Sequence, residues 1–485
     1  MARRDTRMPL WDGRIGLAKG LIRNVRRGIR QVQASHKVSA VFDDPNLIGS
    51  AGLVPVMRLA RKAGLQDLLK EHLSVPCPNA AVKAAGVVAG MLAGADSIDD
   101  LDVLRHGGMS KIFTGVRAPS TLGTFLRTFT FGHVRQLDAV HSRVLSGLAA
   151  AVPRLLTGTD AMAFIDIDDT IRQVHGYAKQ GAAYGYSGVK GLNAQIAALS
   201  SPTCAPVITA ARLRKGNAVS GHGANRLIID AIATARAAGA TGQVMVRADS
   251  GYYRQDVIAA AVRARAWFSV TVRMNPSVRQ AIAAIPDQAW TAISYPRAIW
   301  DADEARWISE AEVAEIDFTA FTSHPKKRQA TCRLVVRRVQ RLNKATITAS
   351  EQGQDPLFTT WRHHGFITNS TLTAVTADQT HRDHAIIEQV IAELKSGPLA
   401  HTPSGKFTAN AAWLALACTA FNLLRAAGAA AGVRHAKARW ATLRTHLIAI
   451  PARIASTARR LVLHLPTDWP WAPAWEDLWA TATTP

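Results

Sequence analysis

Residues 381–395, HRDHAIIEQVIAELK, contain four side chains that can bind metal ions or phosphate. His381, His384, Glu388 and Lys395 fall near one stripe if the segment is a single helix, and the apolar residues between them follow helical spacing. A carboxylate, two imidazoles and an ammonium group are costly to bring together unless they bind an ion. We therefore interpret Glu388 as a metal ligand, and Lys395, His381 and His384 as groups that contact a phosphate backbone.

Further acids stand near the ends of predicted strands upstream. The segment AMAFIDIDDT is typical of a strand with Asp166 and Asp168 on one face, and QVMVRAD is typical of a strand that leads into Asp249. Because strand ends meet at one edge of an α/β sheet, these acids and Glu388 are expected to converge. Carboxylates that converge repel each other unless cations hold them. Mg²⁺ suits such a site, because it binds one or two carboxylates together with water and substrate phosphates.

The chemistry predicted for this set is phosphoryl transfer. Two Mg²⁺ ions about 4 Å apart can activate a water or a 3′-hydroxyl and stabilise the leaving oxygen of an in-line displacement. We expect Asp168, Asp249 and Glu388 to be the catalytic metal ligands, with Mn²⁺ as a substitute for Mg²⁺. Asp166 is the alternative for the first position and a further candidate ligand, because it shares a strand face with Asp168.

Charge indicates what the substrate is. The chain has 58 Lys and Arg against 35 Asp and Glu, a formal net charge of +23, which favours a polyanionic partner such as DNA. A basic enzyme with an unrelated substrate is the alternative. Lys190, Arg214 and Lys215 are candidate DNA contacts on loops near the acids, and a solvated surface is the alternative for each. Tyr252, Tyr253 and Trp361 are candidates for stacking on a displaced base, or else core aromatics.

Cysteine usage and hydropathy point to a cytoplasmic protein. The 4 cysteines form no CxxC pair, which argues against structural zinc and against a disulfide framework. No secretory signal opens the chain. The longest uncharged run, residues 407–424, has the length of a membrane span, but polar residues interrupt it, and we predict a core helix.

The pattern of predicted strands and helices along the chain indicates an α/β protein with a mixed sheet and helical flanks. The first region is a basic arm, for which DNA contact and a solvated tail are equally compatible readings. The predicted regions are a basic arm at 1–40, a helical DNA-binding domain at 41–155, the first part of an α/β catalytic core at 156–274, a β-rich insertion at 275–378, the second part of the core at 379–428, and a basic helical C-terminal region at 429–485.

Three motifs together resemble a known family. IDIDDT, VRADSGYY and the H-x2-H-x3-E-x6-K spacing are similar to the DDE transposases of insertion sequences, close to the IS4 superfamily and to its IS1380 family. IS4-like enzymes carry Y-x2-R-x3-E-x6-K around the catalytic glutamate. Here His381 and His384 stand in the Tyr and Arg positions, whereas Glu388 and Lys395 are kept. The segments DDLDVLRHGG and APSTLGTFLR also resemble the helical N-terminal region of the IS1380 group.

The resemblance implies an RNase H-like fold for the catalytic core, interrupted by a β-rich insertion between Asp249 and Glu388. It implies that Asp168, Asp249 and Glu388 form the metal-binding triad, and the order Asp168, Asp169, Thr170 suits the D-x-T pattern of the family. The activity implied is hydrolytic nicking of DNA at transposon ends, followed by attack of the freed 3′-hydroxyl on target DNA. The implied partners are terminal inverted repeats and target DNA, bound by a homodimer in the bacterial cytoplasm at the nucleoid.

Three other interpretations fit parts of the pattern. One is a metal-dependent nuclease of similar fold that cuts without strand transfer. Another is a DNA-binding protein whose acids have lost their catalytic role. The third is a metalloenzyme built on His381, His384 and Glu388, but the chain lacks HExxH and a third His nearby.

Overall fold

The computed structural model describes residues 38–176, 178–301, 306–341, 360–458 and 460–484. Met1–Asp44 and Pro45–Pro485 form two compact units. Of the first unit, only residues 38–44 are described, and they form neither helix nor strand. The predicted basic arm therefore lies almost entirely outside the described residues.

After a two-residue strand, Leu47–Ile48, the second unit continues with helices. Pro119 opens the fifth helix at the first helical position, where its missing N–H costs no hydrogen bond. Thr130 caps the sixth helix by accepting a hydrogen bond from the backbone N–H of His133. The helices are α1 (Leu53–Lys62), α2 (Leu65–His72), α3 (Ala80–Ala93), α4 (Met109–Ile112), α5 (Pro119–Arg127) and α6 (Phe131–Ala151).

A mixed sheet of ten strands in the described residues follows the helical region. The label β1 is given to Leu47–Ile48, which lies outside this sheet. The ten strands of the sheet are β2 (Met162–Gln173), β3 (Ala183–Tyr184), β4 (Lys190–Ser200), β5 (Val207–Lys215), β6 (Gln243–Ala248), β7 (Trp267–Thr271), β8 (Thr291–Asp301), β9 (Arg306–Ala320), β10 (Ala330–Arg341) and β11 (Thr360–Thr368). The order is β3-β4-β2-β6-β7-β11-β10-β9-β8, with β5 also paired to β4. The α/β class with a mixed sheet is thus confirmed.

Strand direction divides this sheet into three parts. The strands β2, β4 and β5 are antiparallel neighbours, whereas β6 and β7 run parallel to β2. The strands β8 to β11 come from the predicted insertion and pair antiparallel with one another. They extend the same sheet, because β11 pairs with β7. The boundaries of the insertion as a separate domain stay a prediction.

Further helices lie between and after the strands. They are α7 (Ala224–Ala237), α8 (Gln255–Arg263), α9 (Pro276–Ala283), α10 (Ala374–Arg382), α11 (Ile386–Lys395) and α12 (Phe407–Ala430). The last of these is long and apolar enough to cross a membrane, but nearly all of its residues are buried against α6, α3 and β5. This burial confirms the predicted core helix.

The C-terminal region is not wholly helical, and that part of the prediction is wrong. It contains α13 (Val433–Ala436), α14 (Trp440–Leu443) and α15 (Ala472–Thr483), but also the strands β12 (Ala452–Thr457) and β13 (Arg460–His464). Ala452 and Ile454 are buried while Arg453 between them is exposed, which is the two-residue period of a strand. The hairpin pairs with β1, near the other end of the unit.

A buried ion pair fixes α11 to α12. Arg425 on α12 donates to both carboxylate oxygens of Glu393 on α11, at 2.9 and 2.8 Å. The backbone N–H of Trp440 donates to the same carboxylate at 2.7 Å, and Gln389 donates at 2.9 Å. Because all these donors converge on Glu393, the charge is fully compensated inside the fold. The helix that carries Glu388 is therefore held in position by its own buried face.

A buried histidine makes the fold sensitive to acid. His141 on α6 contacts the carbonyl oxygen of Ile208 at 2.9 Å and the hydroxyl of Thr419 at 3.1 Å. Burial lowers the pKa of His141 to about 4. The unfolded imidazole takes up a proton below its ordinary pKa of about 6.5, whereas the folded one stays neutral until about 4. Stability from this group is therefore complete above about pH 6.5 and falls as pH drops towards 4.

We expect the free energy of unfolding to decrease by about 3 kcal/mol from His141 alone between pH 6.5 and 4. Thermal melts followed by circular dichroism across this range measure the change. The variant His141→Gln keeps hydrogen-bonding groups but cannot titrate, so its melting temperature should be lower at neutral pH and should depend less on pH. An identical pH dependence in the variant and the parent chain would contradict this assignment.

Candidate active site

The register of β2 and β6 places two of the predicted acids side by side. Ile167 on β2 pairs with Ala248, the last residue of β6. Asp168 is the next residue of β2, which continues outward, and Asp249 directly follows β6. The Asp168 carboxylate is partly buried and accepts a hydrogen bond from the backbone N–H of Asp169 at 2.7 Å. The Asp249 carboxylate accepts from the backbone N–H of Gly251 at 3.0 Å.

Glu388 reaches the same place from α11. This helix packs on β2 and β4 with Ile387, Val390 and Leu394 buried, and leaves Glu388 exposed in its first turn. The pKa of Asp168 is raised to about 7, chiefly by burial. The hydrogen bond from the backbone of Asp169 lowers it, and the negative charges of Asp249, Asp169 and Glu388 contribute to the rise. Asp249 and Glu388 therefore act electrostatically on Asp168 from two other elements of the chain.

Histidine also belongs to this cluster. Burial raises the pKa of Asp249 and Asp169 adds to the effect, while the hydrogen bond from Gly251 and the imidazole of His384 lower it. The His384 ring is held by a 2.7 Å hydrogen bond between its Nδ1 and the carbonyl oxygen of His381.

The segment 381–395 is not one continuous helix, and that prediction is wrong. Helix α10 ends at Arg382, a 3-10 turn spans Asp383–Ala385, and α11 begins at Ile386. The side chain of His384 bonds to the carbonyl of His381 and so competes with the backbone hydrogen bonds of an uninterrupted helix. The four polar side chains consequently do not share one stripe.

His381 is built into the core rather than presented to a ligand. Its Nδ1 lies 2.8 Å from the hydroxyl of Ser269, and its Nε2 lies 2.9 Å from the hydroxyl of Thr271. The ring stacks on Phe366 at 4.1 Å between centroids. Burial, and then the nearby His384, lower the pKa of His381 well below its ordinary value. A buried, neutral and fully hydrogen-bonded imidazole does not support the predicted contact with phosphate.

Asp166 occupies a different environment from Asp168, although both lie on one strand face. Arg247 on β6 donates to its two oxygens from Nε at 2.6 Å and from Nη2 at 2.7 Å. The side chains are 0% and 2% exposed for Asp166 and Arg247. The same guanidinium lies over the ring of Phe164 and donates to the carbonyl of Thr380 at 2.7 Å. Both oxygens of Asp166 are thus committed to a cation of the protein itself.

Arg214 is likewise committed, and the prediction that it lies on a loop is wrong. It belongs to β5 opposite Asn193 and donates to Asp169, to the amide oxygen of Asn193 and to three backbone carbonyls around Ser220. Asp169 also accepts from Asn193 at 3.1 Å and from Ser220 at 3.3 Å. Arg214 therefore neutralises the acid next to Asp168 and does not offer its charge to DNA.

The remaining predicted contacts lie away from the carboxylates. Lys395 stands in the last turn of α11, about 10 Å along the helix from Glu388. Lys215 ends β5 and Lys190 begins β4, which puts both beyond the acids on the outer part of the sheet. The structure thus brings together Asp168, Asp249, Glu388 and His384, but not the lysines.

None of the three aromatic side chains predicted as candidates for base stacking exposes its whole ring to a ligand. Tyr252 is fully buried, and its hydroxyl lies 3.4 Å from the Gln195 amide. Tyr253 packs on Phe321 at 5.0 Å between centroids, and Trp361 lies under the guanidinium of Arg338. These side chains therefore have structural roles.

Comparison with protein families identifies the family of the chain. The family described as Transposase DDE domain group 1 matches residues 30–483. The chain belongs to the DDE transposases. A search of curated proteins gave no match. Membership in this family implies an enzyme that cleaves and transposes DNA, and DDE transposases generally use divalent metal ions.

The acids of this DDE transposase lie within electrostatic range of one another but not within coordination distance of a shared ion. Within the described part of the chain, no group of three or more His, Cys, Asp and Glu side chains lies close enough to hold a metal ion as it stands. The acids are nevertheless near enough to raise the pKa of Asp168. Hard carboxylate oxygens in mutual repulsion fit a divalent cation, which would offset that repulsion.

Proposed function

We propose that this transposase carries out DNA cleavage and strand transfer with Asp168, Asp249 and Glu388 as its catalytic carboxylates. The observation that carries the proposal is the register of β2 and β6, which places Asp168 beside Asp249 at one sheet edge, where Asp249 and Glu388 both act on Asp168. Such coupling needs three acids from distant parts of the chain at one sheet edge. A cluster of this kind destabilises the fold unless it serves a site, which is the reason that perturbed carboxylates mark functional positions.

Mg²⁺ is the proposed metal, with Mn²⁺ as its substitute, and the DDE chemistry suits two ions. Asp168, Asp249 and Glu388 would hold them, whereas Asp166 is set aside because Arg247 occupies both its oxygens. When bound, such ions favour deprotonation of the attacking hydroxyl and stabilise the leaving oxygen. The chain itself orients two of these carboxylates through the backbone N–H groups of Asp169 and Gly251.

DNA would lie along the basic part of the same sheet edge. We propose Lys395, Lys190 and Lys215 as phosphate contacts, and His384 as a contact near the scissile phosphate because it already lies beside Asp249. Arg214 and His381 are omitted, since their polar atoms are used within the protein. The partners are the terminal inverted repeats and target DNA, bound by a homodimer on paired ends in the bacterial cytoplasm.

The finer family assignment is also a proposal. The antiparallel strands β2, β4 and β5, extended by two strands parallel to the acid-bearing β2, support an RNase H-like core. The strands that follow β7 support the insertion expected of IS1380-type enzymes within the IS4 superfamily. Together with the motif around Glu388, these features favour an insertion-sequence transposase.

The direct test is an end-cleavage assay on the full-length chain. The substrate is a labelled linear DNA that carries the sequences flanking the gene, incubated with supercoiled target and Mg²⁺ or Mn²⁺. We expect metal-dependent nicks that leave 3′-hydroxyls at inverted repeats, and joined products in which those ends enter the target. Hydrolysis without joining would identify a nuclease of similar fold. Absence of metal-dependent cleavage on repeat-bearing DNA would contradict the proposal.

A further inference from the structure

A long stretch next to the catalytic strand has no acidic residue. Between Asp169 and Asp230 the sequence contains no Asp or Glu. The basic residues of the same stretch are Arg172, Lys179, Lys190, Arg212, Arg214, Lys215 and Arg226. Arg212 pairs with Asp138 and Asp230, and Arg214 pairs with Asp169, but Lys215 at the end of β5 is exposed. The positive charge that remains for a polyanion therefore lies at the outer end of β5.

The strand register places some of these basic residues on the same face of the sheet as Asp168. Side chains alternate between faces along a strand, so Asp168 and Arg172 on β2 point the same way. Arg172 pairs with Leu192 on β4, and Leu192 pairs with Lys215 on β5. Paired residues of antiparallel strands share a face. The face that presents the proposed catalytic carboxylate therefore has a basic surface further along the sheet, formed by Arg172 and Lys215 beyond the buried Leu192.

Two exposed tyrosines stand at the end of this surface. Tyr184 on β3 pairs with Lys190 on β4 and so lies on the same face, with 69% of its surface exposed. Tyr186 at the tip of the β3–β4 hairpin is fully exposed. Counted along β4 from the partner of Asp168, the distance to Lys190 is about 20 Å. This span corresponds to roughly six base pairs of DNA.

The hairpin is held against the rest of the sheet by its backbone. A Cβ atom on Gly216, in the turn after β5, would lie 2.1 Å from the carbonyl oxygen of Gly191 and 2.4 Å from that of Ala183. A Cβ atom on Gly185 would lie 2.6 Å from the carbonyl of Gly216. The backbone N–H of Gly216 donates to the carbonyl of Gly181 at 3.0 Å. Contact this close requires glycine. The hairpin that carries the two tyrosines is therefore packed tightly against the turn after β5.

We propose that the β3–β4 hairpin is a DNA-binding arm on which Tyr184 and Tyr186 stack against unpaired bases. The inference rests on the proposed function, because the acids define where DNA is cut. Large aromatic rings that the fold leaves in water, beside lysines and without acids, have the composition of a surface for single-stranded DNA. The arm would hold a strand that has separated from its partner, about 20 Å from the catalytic carboxylate.

Equilibrium binding without cleavage tests the arm separately from catalysis. Fluorescence anisotropy in EDTA compares a roughly 20-nucleotide oligothymidylate with a blunt duplex of the same length. In the double variant Tyr184→Ala/Tyr186→Ala, we expect affinity for the single strand to fall at least about tenfold and affinity for the duplex to change less than about twofold. The salt dependence should stay the same, because no phosphate contact is removed.

Two controls make the result specific. Tyr186→Phe keeps the ring and should bind as the parent chain does, and Leu461→Ala removes an exposed apolar group of the C-terminal hairpin and should have no effect. Equal loss on both probes, or no loss on the single strand, would overturn the proposed arm. A chain that shows the tyrosine effect but cleaves no repeat-bearing DNA would retain the arm and refute the proposed function.

Discussion

Replacing Glu388 by Gln is expected to lower the rate of DNA cleavage by at least about a thousandfold, a loss of about 4 kcal/mol of transition-state stabilisation. Glutamine keeps the size of the side chain but removes the charge that would hold a divalent ion. Glu388 is exposed on the first turn of α11, so the fold does not depend on it. Asp249→Asn should show the same loss, because Asp249 contributes to the same site.

The Glu388→Gln and Asp249→Asn variants should keep or gain thermal stability while they lose cleavage activity. Because Asp249 and Glu388 raise the pKa of Asp168, their charges oppose its ionisation in the metal-free protein. Removing either charge relieves that repulsion, so the melting temperature of each variant in EDTA should equal or exceed that of the parent chain. Sites that are costly to the fold are commonly the ones that function requires.

Single-turnover cleavage of the repeat-bearing DNA and thermal melts in EDTA measure the two effects. Glu476→Gln is the matched control, because Glu476 is exposed on α15 and carries the same change of charge. Cleavage within about tenfold of the parent rate in Glu388→Gln would exclude Glu388 as a metal ligand. A large fall in melting temperature would show instead that Glu388 has a structural role.

The three proposed catalytic acids could be selected from the sequence because each one depends on local pattern. Asp168 and Asp249 lie in or directly after short apolar strands, and Glu388 lies on the polar side of an amphipathic helix. Alternation and helical spacing are properties of a few neighbouring residues, so they can be recognised without the fold. The mixed sheet and the buried helix α12 follow from the same kind of signal.

Contacts between distant segments could not be predicted in this way. Arg214 is distinguished from Lys215 only by the pairing of β4 with β5, which directs Arg214 to Asn193 and Asp169. The break between α10 and α11 contains neither Pro nor Gly, and it depends on one side chain bonding to the carbonyl of His381. Neither feature has a signature in the local pattern.

The C-terminal hairpin shows the same limit at longer range. Residues 452–464 have alternating polarity, but their basic residues and their position after short helices favoured a helical interpretation. Their strand conformation is stabilised by pairing with Leu47 and Ile48, close to the other end of the unit. A partner so distant in the sequence cannot be inferred from composition.

Replacing Asp166 by Asn is expected to lower the free energy of unfolding by about 3 to 5 kcal/mol. The variant would leave the buried guanidinium of Arg247 without a counter-charge, and such a charge costs far more than the lost hydrogen bonds. The double variant Asp166→Asn/Arg247→Met also removes the unpaired guanidinium. It should therefore recover much of the lost free energy of unfolding. Asp256→Asn is the control, since its pair with Arg254 is solvent-exposed and contributes about 1 kcal/mol or less.

The same variants decide which aspartate on β2 is the metal ligand. Chemical denaturation gives the free energy of unfolding, and the rise in melting temperature on adding Mn²⁺ reports metal binding. If Asp166 is structural, the double variant should retain that rise, whereas Asp168→Asn should lose it while remaining folded. An Asp166→Asn protein of unchanged stability that no longer responds to Mn²⁺ would reverse the assignment. In that case the metal would displace Arg247 from Asp166. Asp166 rather than Asp168 would then be the first catalytic acid.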